Sequence, residues 1–153
     1  MNSIATLLAP QDICLDVDVP GKAALLDAIG EHMERVHGLS RKWVTLSLQR
    51  REQVGSTALG EGVAIPHARV KELDAVRLVF LRLKSPILFD APDGKPVTTV
   101  LALLVPAPAA EEHLRILADA ASLFSDRILR RKLLECRDPL EVSRLLAEWS
   151  ATR

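Results

Sequence analysis

Apolar and polar residues change their rhythm several times along the chain, and each change marks an element. Ile13-Cys14-Leu15-Asp16-Val17-Asp18-Val19 ends in alternation, the two-residue period of a strand, and Pro20-Gly21 closes it. From Lys22 the period lengthens. Leu25, Ile29, Met33 and Val36 recur at helical spacing, and Gly38 supplies a helix stop. Ser40 is the N-cap of a second predicted helix, which carries Trp43, Val44 and Leu48 and runs out near Arg51 or Glu52. A glycine-punctuated loop, Gly55 to Gly62, leads into the short apolar run Val63-Ala64-Ile65, closed by Pro66. Val76 to Leu83 reads as a strand. Val97 to Val105 reads as another and is apolar throughout after its two threonines, as expected of a strand covered on both faces. Pro92-Asp93-Gly94 between them is turn chemistry.

Beyond Pro106 the pattern is helical. Leu114, Leu117, Ala121 and Phe124 make one stripe, and Leu129, Leu133 and Cys136 a second. Asp138, Pro139 and Glu141 read as an N-cap, a first-turn proline and a capping-box acid, followed by the stripe Val142, Leu145, Leu146, Trp149. A strand, two helices, several strands and then helices give an α/β fold with helices on both sheet faces. One domain is expected to span residues 1–153.

Composition narrows the function classes. Hydrophobic residues at 48% and charged residues at 26% belong to a globular chain rather than a disordered one. Twenty Lys and Arg balance twenty Asp and Glu, so no net field draws the chain to nucleic acid or an anionic membrane. Aromatics at 3%, with no Tyr, leave little for stacking bases. No segment approaches the ~18 uninterrupted apolar residues of a membrane span, and the N-terminal stretch has no basic residue ahead of its apolar run. Cys14 and Cys136 lie far apart without partners at metal spacing, so two free thiols in a reducing, cytoplasmic compartment are expected.

The chemistry concentrates in residues 51–67, which place Arg51, the hydroxyls of Ser56 and Thr57, several glycines and His67 in one loop-strand unit. Phosphoryl transfer needs these parts. A neutral imidazole is nucleophilic near neutral pH. A guanidinium holds two phosphoryl oxygens at once. The hydroxyls of Ser56 and Thr57, with backbone N–H groups around Gly55, suit the remaining oxygens. A histidine after Ile-Pro is equally compatible with a turn residue bonded to backbone. Arg51 competes with its neighbour Arg50 for the role of a solvated helix-end cation, and spacing does not separate them. The loop lacks the Gly-Lys-Ser/Thr ending of a P-loop, which disfavours nucleotide. His113 falls in the first turn of a predicted helix beside an apolar stripe, and Glu111-Glu112-His113 is not a zinc signature, so no metal site is expected. His32 and His37 are read as surface residues near a helix C-terminus.

Together, Arg-Glu-x-x-Gly-Ser-Thr at 51–57, Gly-x-Gly-Val-Ala-Ile-Pro-His at 60–67 and Leu-Leu-Val-Pro-Ala at 103–107 followed by His113-Leu114 resemble the IIA domains of the mannitol/fructose type in the bacterial phosphotransferase system. Their stand-alone nitrogen-regulatory branch is the nearest in pattern, and the resemblance covers nearly the whole chain. It implies a three-layer α/β/α sandwich around a mixed sheet. It implies His67 as the phosphorylated residue, His113 as its assistant and Arg51 as the site arginine, without cofactor. The implied donor is an HPr-like phosphocarrier, the nitrogen-branch carrier NPr, fed from phosphoenolpyruvate. A sugar-specific IIA component of a permease, or a binding module never phosphorylated, are the rival readings. One departure from many relatives is Ala68-Arg69 where glycine follows the histidine; Arg69 either adds positive potential at the site or points to solvent.

Overall fold

The computed structural model describes residues 4–71, 73–108 and 110–152. Met1 to Ser3, part of the N-terminal stretch read above, lie outside the described residues. A short helix α1 (Ile4–Leu7) and a 3-10 turn (Pro10–Asp12) precede strand β1 (Ile13–Val17). Helices α2 (Lys22–His37) and α3 (Arg41–Val54) follow, then strands β2 (Ala58–Gly60), β3 (Val63–Ala64), β4 (His67–Val70), β5 (Arg77–Ile87) and β6 (Val97–Pro106). Helices α4 (Glu111–Phe124), α5 (Arg127–Glu135) and α6 (Pro139–Ala151) end the chain.

The sheet is mixed, in the order β1-β5-β6-β3-β2, with β4 also pairing β6. β1 runs parallel to β5, β5 antiparallel to β6, and β3 and β4 parallel to β6 one after the other. Alternation along the two central strands divides the core. Val79, Leu81, Val100, Ala102 and Leu104 pack with Leu25, Ile29, Met33, Val44 and Leu48 of α2 and α3. Leu78, Phe80, Leu101, Leu103 and Val105 pack on the opposite face with Ile116, Ala120, Leu123, Leu129, Leu133, Val142 and Leu146 of α4 to α6. The expected α/β/α sandwich is therefore present, and β6 is covered on both faces as its apolar run predicts.

Local signals set several boundaries. Gly38 adopts φ 70°, the left-handed conformation that ends α2, and its N–H returns to the Glu34 carbonyl at 3.0 Å. Ser40 Oγ accepts from the Trp43 N–H at 3.3 Å and starts α3. Asp138 caps α6 through the Glu141 N–H at 2.9 Å, while the Glu141 carboxylate accepts from the Arg137 N–H at 2.5 Å, one residue before the expected partner.

Three expectations need correction. α3 continues to Val54, so Arg51 sits within its last turn rather than at its end. α4 buries Ile116, Ala120, Leu123 and Phe124, while Leu114 is exposed and Ala121 faces outward. The helix is rotated from the stripe read in sequence: Leu114 walls a cleft, and half-buried Leu117 both lines that cleft and packs against the core edge. His32 and His37 are not surface residues. Their Nε2 atoms lie 2.7 and 2.8 Å from Asp12 Oδ1, and Asp12 and His32 are buried. The hydrogen bond to Asp12 raises the His32 pKa to about 9.

Close packing of α2 on α3 depends on Gly30. A Cβ there would overlap Thr45 Oγ1 and stand 2.9 Å from the Arg41 carbonyl oxygen. Gly30→Ala gains up to ~1 kcal/mol of helix propensity, but forcing the helices apart costs about 2–3 kcal/mol. The expected net result in a thermal melt is a Tm lowered by about 3–6 °C; an unchanged or raised Tm would show that the pair relaxes freely.

Candidate functional site

A cleft of about 450 Å³ opens at the sheet edge where β4 meets both helical layers. α3 contributes Ser47, Arg50 and Arg51, and α4 contributes His113, Leu114 and Leu117. β4 contributes His67, Ala68 and Arg69, and β6 contributes Leu103 and Val105. His67 opens β4 and stands opposite Leu103 of β6, held there by the Leu103 N–H donating to the Pro66 carbonyl at 2.8 Å. Pro66 restricts the backbone entering the strand. Ala68 and Val70 point into the α2–α3 core, so His67 and Arg69 share the other side of the strand.

The hydrogen bonds assign both ring tautomers. His67 Nδ1 lies 2.8 Å from the Ile65 carbonyl oxygen. A carbonyl only accepts, so Nδ1 carries the hydrogen and Nε2 keeps its lone pair. His113 is the reverse. Its Nδ1 accepts from the Ala110 N–H at 3.0 Å, so a neutral His113 carries its hydrogen on Nε2. One ring offers a bare nucleophilic nitrogen and the other a donor, in the same cleft.

Three guanidiniums, those of Arg50, Arg51 and Arg69, line this cleft with no carboxylate among the lining residues. Arg51 spends one N–H on the Gly55 carbonyl at 2.9 Å, which orients the group and, among the described residues, leaves its other donors available. The wall of Leu103, Val105, Leu114 and Leu117 limits water on the apolar side. The arrangement suits a dianion with several oxygens bound to a ring nitrogen.

His67, His113 and Arg51 are thus brought together. Gly55, Ser56 and Thr57 are placed differently: none belongs to the cleft lining. Ser56 Oγ donates to the Phe89 carbonyl at 2.6 Å and accepts from the Ala58 N–H at 3.1 Å. The Thr57 hydroxyl donates to the Glu52 carboxylate, which also accepts from the Thr57 N–H at 3.2 Å. Glu52 in turn pairs with Lys22 at 2.8 Å, with only 5% of its side chain exposed. It is the organiser of the loop, and the residue reading above gave it no role. Ser47 stands three residues before Arg50 and four before Arg51, so it shares a helix face with both, a signal legible in sequence. Arg69 stands two residues beyond His67 on a strand and so joins the site rather than simply pointing to solvent.

Comparison with known proteins identifies the family. The family described as the phosphoenolpyruvate-dependent sugar phosphotransferase system, EIIA 2, matches residues 6–149. A nitrogen regulatory protein of Bradyrhizobium diazoefficiens is 36% identical over 149 residues, 97% of each chain. A fructose-specific EIIA component of Haloferax volcanii is 36% identical over 102 residues, 67% of this chain and 66% of its own. The crystal structure of the nitrogen regulatory protein IIA-Ntr from Neisseria meningitidis superposes with a TM-score of 0.88 at 40% identity, covering 94% of this chain and 98% of that one. On the family match and these relatives, the chain belongs to the EIIA 2 family of the phosphotransferase system and is similar over nearly its full length to the family's nitrogen regulatory proteins.

Proposed function

We propose that this chain is a phosphoryl-carrier regulator, a single domain that takes a phosphoryl group onto His67 Nε2 and signals by its phosphorylation state. The observation that carries the reading is the Nδ1 hydrogen bond to Ile65, which leaves Nε2 bare beside three guanidiniums. The donor is a phosphohistidine on an HPr-like carrier, NPr in the nitrogen branch, acting in the cytoplasm. In the transfer, the P–N bond to the donor ring breaks as the P–N bond to His67 forms. The donor nitrogen leaves with the electron pair, and Nδ1 of His67 keeps its hydrogen on the Ile65 carbonyl. His113 donates from Nε2 to a phosphoryl oxygen, and Arg51 holds others. Ser56 and Thr57 build the loop that carries Gly55, to which Arg51 is tied, rather than touching phosphate themselves.

Phosphorylation adds about two negative charges to a cleft lined by arginines. That change alone alters which partner surface is attracted, without a rearrangement of the fold. A regulatory role is favoured over sugar transport because the nitrogen regulatory relatives match almost end to end, and the fructose-specific one over two thirds.

The direct test is incubation with phosphoenolpyruvate, enzyme I and NPr, read by intact mass. One acid-labile phosphoryl group per chain is expected, and none without NPr. A chain that stays unmodified while NPr is fully phosphorylated would refute the carrier reading. Arg69→Ala should slow the transfer about 10-fold with an unchanged Tm, since it removes one cation from an exposed position; an unchanged rate would return Arg69 to solvent.

A further inference from the structure

Away from the cleft, three side chains with metal-ligating atoms converge below the surface. Asp12 ends the turn before β1, and His32 and His37 come from the C-terminal part of α2. Both Nε2 atoms meet one oxygen, Asp12 Oδ1, at 2.7 Å from His32 and 2.8 Å from His37. One ligand atom from each of the three residues lies within 4.8 Å of the other two. The side chains of Asp12 and His32 are sealed, and that of His37 keeps 12% of its surface open.

We propose that Asp12, His32 and His37 form a binding site for one Zn²⁺ ion, ligated by the two Nε2 atoms and Asp12 Oδ1, with water in the fourth position. Two imidazoles and a carboxylate are a three-ligand zinc set, and such nitrogen-rich donors suit zinc better than magnesium or calcium. Bonds of about 2.0–2.2 Å set tetrahedral ligand atoms ~3.3 Å apart. The carboxylate oxygen therefore draws back from each ring by roughly 0.5 Å to admit the ion. The exchange balances in protons: each ring gives up its Nε2 hydrogen and ends as a neutral imidazole with its hydrogen on Nδ1. A charged ring thus releases one proton to solvent, and a neutral ring takes one up at Nδ1 for the one it loses.

The far side of His32 supports this assignment. Its Nδ1 lies 3.6 Å from Cys14 Sγ. A ring that binds metal through Nε2 must carry its hydrogen on Nδ1, and an acceptor placed there holds that tautomer. Arg35 Nη2 stands 3.5 Å from the same nitrogen, and because a guanidinium only donates, this exposed side chain would have to move off Nδ1 in the zinc-bound form. The opening at His37 gives the ion a path in and room for the water. A bound ion would clamp the segment before β1 to the end of α2.

The test uses untagged full-length protein, stripped with chelator and titrated with Zn²⁺ against a chromophoric competitor, with thermal melts alongside. One equivalent should bind, and Tm should rise with free Zn²⁺. His37→Ala should lower the affinity at least about 100-fold, and Cys14→Ala about 10-fold through the lost acceptor. The double variant His67→Ala/His113→Ala should bind zinc as the parent does. Co²⁺ should give the intense visible bands of a tetrahedral site, absent in His37→Ala. If His37→Ala fails to fold, His37→Gln, which still donates to Asp12 but ligates poorly, makes the same comparison. Absence of stoichiometric binding, or binding that survives the His37 changes and disappears with His67 and His113, overturns the proposal.

Discussion

Replacing His67 with alanine is expected to reduce phosphoryl labelling by the carrier to background while the protein stays folded. The ring is half-buried at the start of a short strand, and its one recorded hydrogen bond is to the Ile65 carbonyl at 2.8 Å. Losing that bond costs about 1 kcal/mol, or roughly 2–4 °C of Tm. The chemical loss should be total because no other ring nitrogen lining the cleft keeps an unshared lone pair. His113, the other ring there, has Nδ1 occupied by the Ala110 N–H and its hydrogen on Nε2. Acid-labile labelling of the variant at the parent's level, with mass mapping to another residue, would sink the assignment of His67.

Glu52→Ala should be the most damaging change outside the cleft. Its carboxylate is nearly sealed and binds Lys22 at 2.8 Å, the Thr57 N–H at 3.2 Å and the Thr57 hydroxyl. Removing one partner of a buried pair strands the other. Lys22 keeps partial exposure, a contact with Asp90 at 3.7 Å and a seat over the Phe89 ring, which softens the loss. We expect about 2–4 kcal/mol of destabilisation, read as a Tm lower by about 5–15 °C. Phosphoryl transfer should slow as well, measured below the variant's own melting range. Gly55, to which Arg51 is tied, belongs to the loop that Glu52 holds. Thr57→Val separates the contributions, since it leaves the Lys22 pair intact and should cost about 1–2 kcal/mol. A Glu52→Ala protein that melts within 1 °C of the parent (~0.3 kcal/mol) would show that the loop is held by other contacts.

The sequence was most legible where chemistry is local. Gly38 and Ser40 bracket a helix-to-helix turn by backbone conformation and capping alone, and both act as their residue types predict. The unbroken apolar run of β6 announced burial on two faces. Legibility failed where tertiary packing chooses. Residues 67–70 are too short and mixed to declare a strand, yet four register pairs with β6 make them one. In α4, Leu114 looks like core on spacing, and only the neighbouring cleft explains why it is exposed while Ile116 and Ala120 are buried and Leu117 sits at the core edge. His32 carried a readable hint, since it falls three residues after Ile29 and seven after Leu25, on the buried stripe of α2. Its partner Asp12 lies twenty residues away and had none. Arg51, His67 and His113, which line one cleft, were nameable in advance. That the hydroxyls of Ser56 and Thr57 stay out of the cleft was not legible, because nothing local reveals that Phe89 and Glu52 claim them first.

The two groups that line the cleft with His67 and are proposed to act with it come from opposite sides of the sheet: Arg51 on α3, in the layer with α2, and His113 on α4, in the layer with α5 and α6. Their separation is consequently gauged by the thickness of the interior rather than by any contact near the His67 ring. A trimmed or enlarged side chain at Leu48 or Ile116, neither of them in the cleft, would move one jaw of this caliper relative to the other. Turnover would then register interior volume changes too small to unfold anything.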